Sequence, residues 1–318
     1  MSGPFGSSQL FLYPSGIAYL GDRAVVAGGV IVGSTVIDDI DYFSIGTLGN
    51  ASDFGELQGN TYQTAGLSSG SRGVFVAGWV GAYSNRIDYI TIASTGNASD
   101  FGNYGRGTTA LGACSDGDRG VAGGGGITGN SNVDIIEYLT IASTGNTTDF
   151  GDLTLGRSGV IAVSDGTRGV FAGSQSASAS AGDPTIDYIT MQSTGNATDF
   201  GDLSVTRRSL GGGMDNAVRG VWVGGYGVST SANVDTIDYV TIATTGNASD
   251  FGNATTTCSG NFGTSDGTRG VYGSGSGQSS NYSNHIEHIT IASTGNGADF
   301  GNLVSDAASR APSSCSGD

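Results

Sequence analysis

The chain has 318 residues, 58 of them glycine, with 37% hydrophobic side chains, which is enough apolar material for a core. Glycine at this level without a G-X-Y period excludes collagen, and four prolines with 8% aromatics argue against a disordered linker. All twelve basic residues are arginine, and against 28 acids the net charge is −16, a surface that repels phosphate backbones and makes nucleic-acid binding an unpromising reading.

The N-terminal stretch "MSGPFGSSQLFLYP" has neither the basic n-region nor the apolar run of a signal peptide. No stretch approaches the ~20 apolar residues of a membrane helix, so the expectation is a protein made in a cytoplasm without membrane insertion. Residues 1–13 are read as an attachment segment and 14–318 as the repeat domain. From Arg23 onward the chain repeats. The Asp of a DFG triplet falls at Asp53, Asp100, Asp149, Asp199, Asp250 and Asp299, followed each time by Phe54, Phe101, Phe150, Phe200, Phe251 and Phe300. An arginine ladder runs through Arg23, Arg72, Arg119, Arg168, Arg219 and Arg269. The acid of an "IDY"-like strand makes a third ladder at Asp41, Asp88, Glu137, Asp187, Asp238 and Glu287. Three markers in one order, six times, define a unit of about 49 residues.

Within a unit, "RGVFVAG" (72–78) and "IDYITI" (87–92) are β-branched and aromatic runs bounded by Gly, Ser and Asn, hence strands. A further strand starts near Asp100 after the turn "STGN", and a weaker one lies in stretches such as "SGVIAV" (158–163) before "SDGTRG". In "IDYITI", Ile87, Tyr89 and Thr91 share one face and Asp88, Ile90 and Ile92 the other. Bulky groups on both faces fit a sheet packed between two neighbours better than one with a solvated face. The expected fold is all-β, a six-bladed β-propeller with four-stranded blades; a β-helical fibre with two coils per repeat is the alternative. The six Phe residues should fill equivalent pockets between blades, each contributing roughly 1.5–3 kcal/mol by burial.

The order of Arg, hydrophobic strand, Gly-Gly (Gly28-Gly29, Gly123-Gly124, Gly224-Gly225), aromatic strand and final aromatic resembles a kelch-type blade. It departs from that pattern where Phe stands for the usual Trp and where Gly-Gly is broken at Trp79 and Ser174. The near-verbatim "IDYITIASTGNASDFG" (87–102) is similar to repeat proteins of marine tailed bacteriophages, cyanophages especially, that are called virion structural proteins; the similarity spans about residues 23–303. It implies a particle component on a tail, fibre, baseplate or capsid surface, located in the virion, with other virion proteins and copies of itself as partners. It assigns no catalytic residue.

The chemistry-bearing residues support a non-enzymatic reading. His285 and His288 lie three apart on a strand and so face opposite sides, and His288 replaces a repeat tyrosine. Cys114, Cys258 and Cys315 have no metal spacing and read as small buried residues. No metal or other cofactor is expected. The N-x-S/T triplets at Asn50, Asn97, Asn146, Asn196 and Asn247 match a glycosylation acceptor, but local side-chain to backbone bonds in a turn explain them as well. The ladder Asp is expected to pair with the ladder Arg, since both strands start at the same end of a blade. Finally, the "STGN" turns barely vary, whereas the loops before each "IDY" strand (80–86, 125–135, 175–185, 226–236 and 275–285) differ in length and content. They should lie on the opposite rim, with Trp79, Tyr83, Tyr226 and Tyr282 as candidate contacts to a host glycan or protein. Unselected drift of those loops is the competing explanation, and a secreted lectin-like or adhesive propeller is the second functional reading. Closure of the ring is expected from "SRAPSSCSGD" (309–318), with Arg310 in the place of Arg157; the rival is "PSGIAYLGD" (14–22).

Overall fold

The computed structural model describes residues 21–31, 34–129, 131–176, 182–276, 283–304 and 312–318. Every regular element among them is a β-strand. The strands form six antiparallel sheets of the propeller type, one per repeat. In blade 2 the order from the axis outward is Ala65–Ser68, Arg72–Trp79, Tyr83–Thr91 and Ser99–Asn103. Blade 4 repeats it with Ile161–Ser164, Arg168–Ser176, Gly182–Thr190 and Thr198–Asp202. The weak fourth strand of the sequence is therefore the innermost strand of the following blade. Neighbouring innermost strands touch around the whole circle, which closes it.

Blade 1 takes its innermost strand from the other end of the chain. Ser313–Gly317 pairs antiparallel with the start of Arg23–Ile31, from Arg23 opposite Gly317 to Ala27 opposite Ser313. Asp22 N–H donates to Asp318 Oδ1 at 2.9 Å beside it. The C-terminal strand thus closes the ring, and the place its N-terminal rival would take is occupied. Residues 1–20 and Arg310 lie outside the described residues.

The core is six hydrophobic clusters, one in each seam between blades. Phe101 of blade 2 packs with Leu111, Ala122, Leu139 and Ile141 of blade 3. Phe300 of blade 6 closes the circle against Ala24, Val26, Phe43 and Ile45 of blade 1. All six ladder phenylalanines are 2–3% exposed. The two-faced "IDYITI" strand behaves as its pattern requires: Ile87 faces the seam with blade 3, Ile90 and Ile92 the seam with blade 1. The small-residue pair at the end of each second strand needs one correction. The left-handed and extended positive-φ conformations of Gly28-Gly29 recur at Gly124-Gly125, not Gly123-Gly124. In blade 2 they recur at Ala77-Gly78, so Ala77 rather than Trp79 breaks the pattern there.

Candidate functional site

The ladder arginines clamp each blade to the next. Five of the six lie over the tyrosine ring of their own third strand, as Arg72 over Tyr89 at 4.6 Å and Arg168 over Tyr188 at 4.6 Å, and the blade of Arg269 has His288 at that place. Each also donates from Nη1 to a carbonyl at the end of the third strand one blade on: Arg72 to Ile141, Arg119 to Met191, Arg219 to Ile291. Arg269 completes the circle at Ile45, 2.7 Å away. The expected pairing with the ladder Asp does not occur. Arg168 bonds Ile242 O and Ala243 O, while Asp199 sits exposed opposite Asp187 on the outermost strand. Both strands do start at the same end of the blade. The third strand separates them by two inter-strand spacings, about 10 Å, and its tyrosine fills the gap. Among the ladder aspartates, Asp299 makes an ion pair, with His285 at 2.7 Å.

The acids of the third ladder turn inward and catch the preceding blade. Asp187 accepts from Thr154 N–H at 3.2 Å and Thr154 Oγ1 at 2.6 Å; Asp238 accepts in the same way from Ser204, and Glu287 from Thr255. Three of these acids meet arginines outside the ladder, Asp88 with the half-buried Arg86 at 3.0 Å and the other two in sealed pairs. Arg157 reaches Asp187 at 2.7 Å and Arg207 reaches Asp238 at 3.0 Å, all four side chains 0% exposed. The signal available in the sequence was an arginine shortly before the innermost strand, at 157, 207 and 310. Burial lowers the pKa of Arg207, with Asp238 opposing the shift. Burial first, then Asp39 and Asp53, raises the pKa of Asp41 to about 6, with the Val304 amide opposing the shift.

The invariant "STGN" turns cover the open edge of the neighbouring blade. Gly145 N–H donates to Phe101 O and Thr147 N–H to Asn103 O, while Asn146 Oδ1 accepts from Asn103 N–H at 3.0 Å. The same three bonds recur with Gly195, Ala197 and Asn196 on blade 3. Gly102 belongs to this contact: at φ +146° a Cβ there would stand 2.3 Å from Gly145 O. These turns are uniform because they join blades and hide strand edges that would otherwise pair with other chains.

The innermost strands enclose an axial channel of about 140 Å³. Its walls come from small residues, Gly66, Ala113, Ala162, Gly213, Gly263 and Ser314 among them. At one end the strands finish in Ser68, Ser115, Ser164, Asp215, Ser265 and Ser316. The same rim carries the third-to-outermost turns, so the loops preceding the "IDY" strands lie on the opposite one. There Trp79 and Tyr83 stack edge-to-face at 4.9 Å across the blade 2 hairpin, and Tyr62 pairs with Trp79 through the backbone. Tyr226 stacks under Arg208 at 4.7 Å on blade 5, a separate place. Tyr282 lies outside the described residues.

His288 stacks on Phe300 in the position of the other blades' tyrosines, and burial lowers its pKa. His285 faces Glu287 and Asp299 instead. Among the described residues no group of three or more His, Cys, Asp or Glu is placed to hold a metal ion. The three cysteines are free thiols; burial pushes Cys258 and Cys315 up to about 12 and Cys114 upward as well, which leaves them poor nucleophiles. No protein-family model matches the chain, and no curated protein sequence matches it.

Proposed function

We propose that the chain is a non-enzymatic structural protein of a tailed-bacteriophage virion, carried on a tail, fibre, baseplate or capsid surface, with its variable rim turned to the host. One observation carries the reading: the ladder arginines and the turn asparagines are engaged in joining blades, and the rim that differs between blades presents the Trp79–Tyr83 pair. A scaffold of this kind can vary its loops freely, because the seams hold without them. The resemblance of the repeat to phage virion proteins supports the particle setting. The acidic surface, at −16, keeps copies soluble and makes assembly depend on specific contacts.

Immunogold labelling of purified particles with antibodies against the chain tests the setting, and labelled particles are the expected result. Recovery of the chain solely in the culture supernatant would favour a secreted adhesive propeller. Binding of the wild type and of Trp79→Ala to host cells tests the rim. Loss of at least about tenfold affinity is expected for a buried aromatic anchor; equal binding would refute recognition through blade 2.

A further inference from the structure

Five blades end their innermost strand in serine, and the hydroxyls form a chain of bonds around the channel mouth. Ser115 Oγ donates to Ser68 O at 2.6 Å, Ser68 Oγ to Ser316 O at 2.7 Å, Ser316 Oγ to Ser265 O at 2.7 Å and Ser265 Oγ to Asp215 O at 2.8 Å. Each of these four hydroxyls ties its blade to the one before. At blade 5 the series meets Asp215 instead of serine, and the acceptor next in line is the main chain of Ser164 on blade 4. An ionised carboxylate can only accept hydrogen bonds, so it cannot make this link; a protonated one has a single O–H to donate, as serine does.

The surroundings of Asp215 favour the neutral form. One oxygen, Oδ2, faces Ser164 N–H at 3.4 Å. The other, Oδ1, is sealed from solvent and accepts no hydrogen bond. A sealed, unpartnered oxygen is costly for an anion and natural for a hydroxyl whose proton points to an acceptor. The charged groups that act on the site are acidic. Asp165 on blade 4 raises the Asp215 pKa; Cys114 on blade 3 feels Asp215 together with Asp116 and Asp165; the Ser164 and Ala217 amides oppose the shift. Blade 6 contributes the neutral Ser265 hydroxyl. The net result, with burial as the largest cause, is a carboxyl raised to about 7. The following turn also departs from its repeats: Ala217 holds φ +68° where the other blades place Gly117, Gly166 and Gly267.

We infer that Asp215 stands in the hydroxyl ring as a neutral carboxylic acid, with Oδ1 carrying the proton that serine carries in the other blades, and that its ionisation opens the ring at the seam between blades 4 and 5. The seam between these blades is therefore pH-sensitive, firm in mild acid and weaker above neutrality. The folded carboxyl binds its proton more tightly than the unfolded one, whose ordinary value is 3.8, so the stabilisation falls as pH rises from there through about 7. The proton goes to solvent, and no other reactant is needed.

Thermal unfolding of the full chain, Asp215→Ser and Asp215→Asn at about pH 5 and about pH 8.5 tests this. Ser and Asn both keep a donor at all pH values, so their Tm relative to wild type should rise between the two conditions, by roughly 3 °C or more for a shift of this kind. A Tm difference that is the same at both pH values overturns the inference. Should the variants not fold, infrared titration of the wild-type chain decides: a buried protonated-carboxyl band is expected to disappear with a midpoint near 7, above that of Asp41. Absence of any carboxyl band surviving above about pH 6.5 also overturns it.

Discussion

The sealed pair in the seam between blades 3 and 4 permits a sharp perturbation, Arg157→Ala. Arg157 and Asp187 are both 0% exposed and 2.7 Å apart. Deleting the guanidinium leaves Asp187 buried, with the Thr154 amide and hydroxyl as its remaining donors. Breaking a buried pair from one side costs about 3–5 kcal/mol. Because two neutral donors stay in place, the lower end, ~3 kcal/mol, is the expected loss. For a cooperative melt of a chain this size that lowers Tm by roughly 4–5 °C, taking about 2.1 cal/mol/K of unfolding entropy per residue. Calorimetry and urea unfolding would both read it. Adding Asp187→Asn to Arg157→Ala should recover at least ~1.5 kcal/mol, since the orphaned charge is then gone. The combination Arg157→Thr with Asp187→Glu should recover most of the loss too, because the seam between blades 2 and 3 holds Thr108 and Glu137 at the equivalent places, with Glu137 accepting from Gly105 N–H. A cost below ~1 kcal/mol for Arg157→Ala would refute the reasoning, for it would mean that the sealed pair does not hold the seam.

Phe150→Ala empties a pocket lined by Phe171, Ile189 and Met191 and should cost ~3–5 kcal/mol in denaturant unfolding; a cost under ~1 kcal/mol would contradict the seam packing. In a double-mutant cycle Arg168→Ala and Asp199→Ala should add within ~0.5 kcal/mol, whereas Arg168→Ala and Tyr188→Leu should couple by ~0.5–1 kcal/mol. Truncation after residue 311 removes the strand paired with Arg23–Ala27 and the acceptor of Ser68 Oγ, so the melting temperature should drop sharply. An unchanged melt would show that the ring does not depend on this closure. Because the closing contact joins residues nearly 300 apart, refolding should also be slow.

The repeat made the architecture legible from residues alone. Strand patterning in "RGVFVAG" and "IDYITI" is local, and the period of two with apolar groups on both faces already implies a sheet between two neighbours. Phe101 and its five counterparts could be placed in the core for the same reason: a large apolar side chain in an invariant position has few other uses. The C-terminal strand was recognisable because Pro312 to Ser316 copies the small-residue run of Leu111 to Ser115.

What chain order alone left undecided was the partner of each polar group. Arg168 and Asp199 do start neighbouring elements at one end of a blade, but the width of the intervening strand and the Tyr188 ring decide that they never meet. The buried arginines at 157 and 207 stand before their innermost strands as isolated charges, and each compensates an acid about thirty residues later that the folded blade brings near. Asp215 looks like one more acid in the sequence. Its environment comes from three other blades converging on the axis, and burial there, not sequence neighbours, sets its protonation. Local pattern specifies strands because backbone pleating repeats every two residues; ionic partnerships wait on the tertiary structure, because distance and desolvation together determine them.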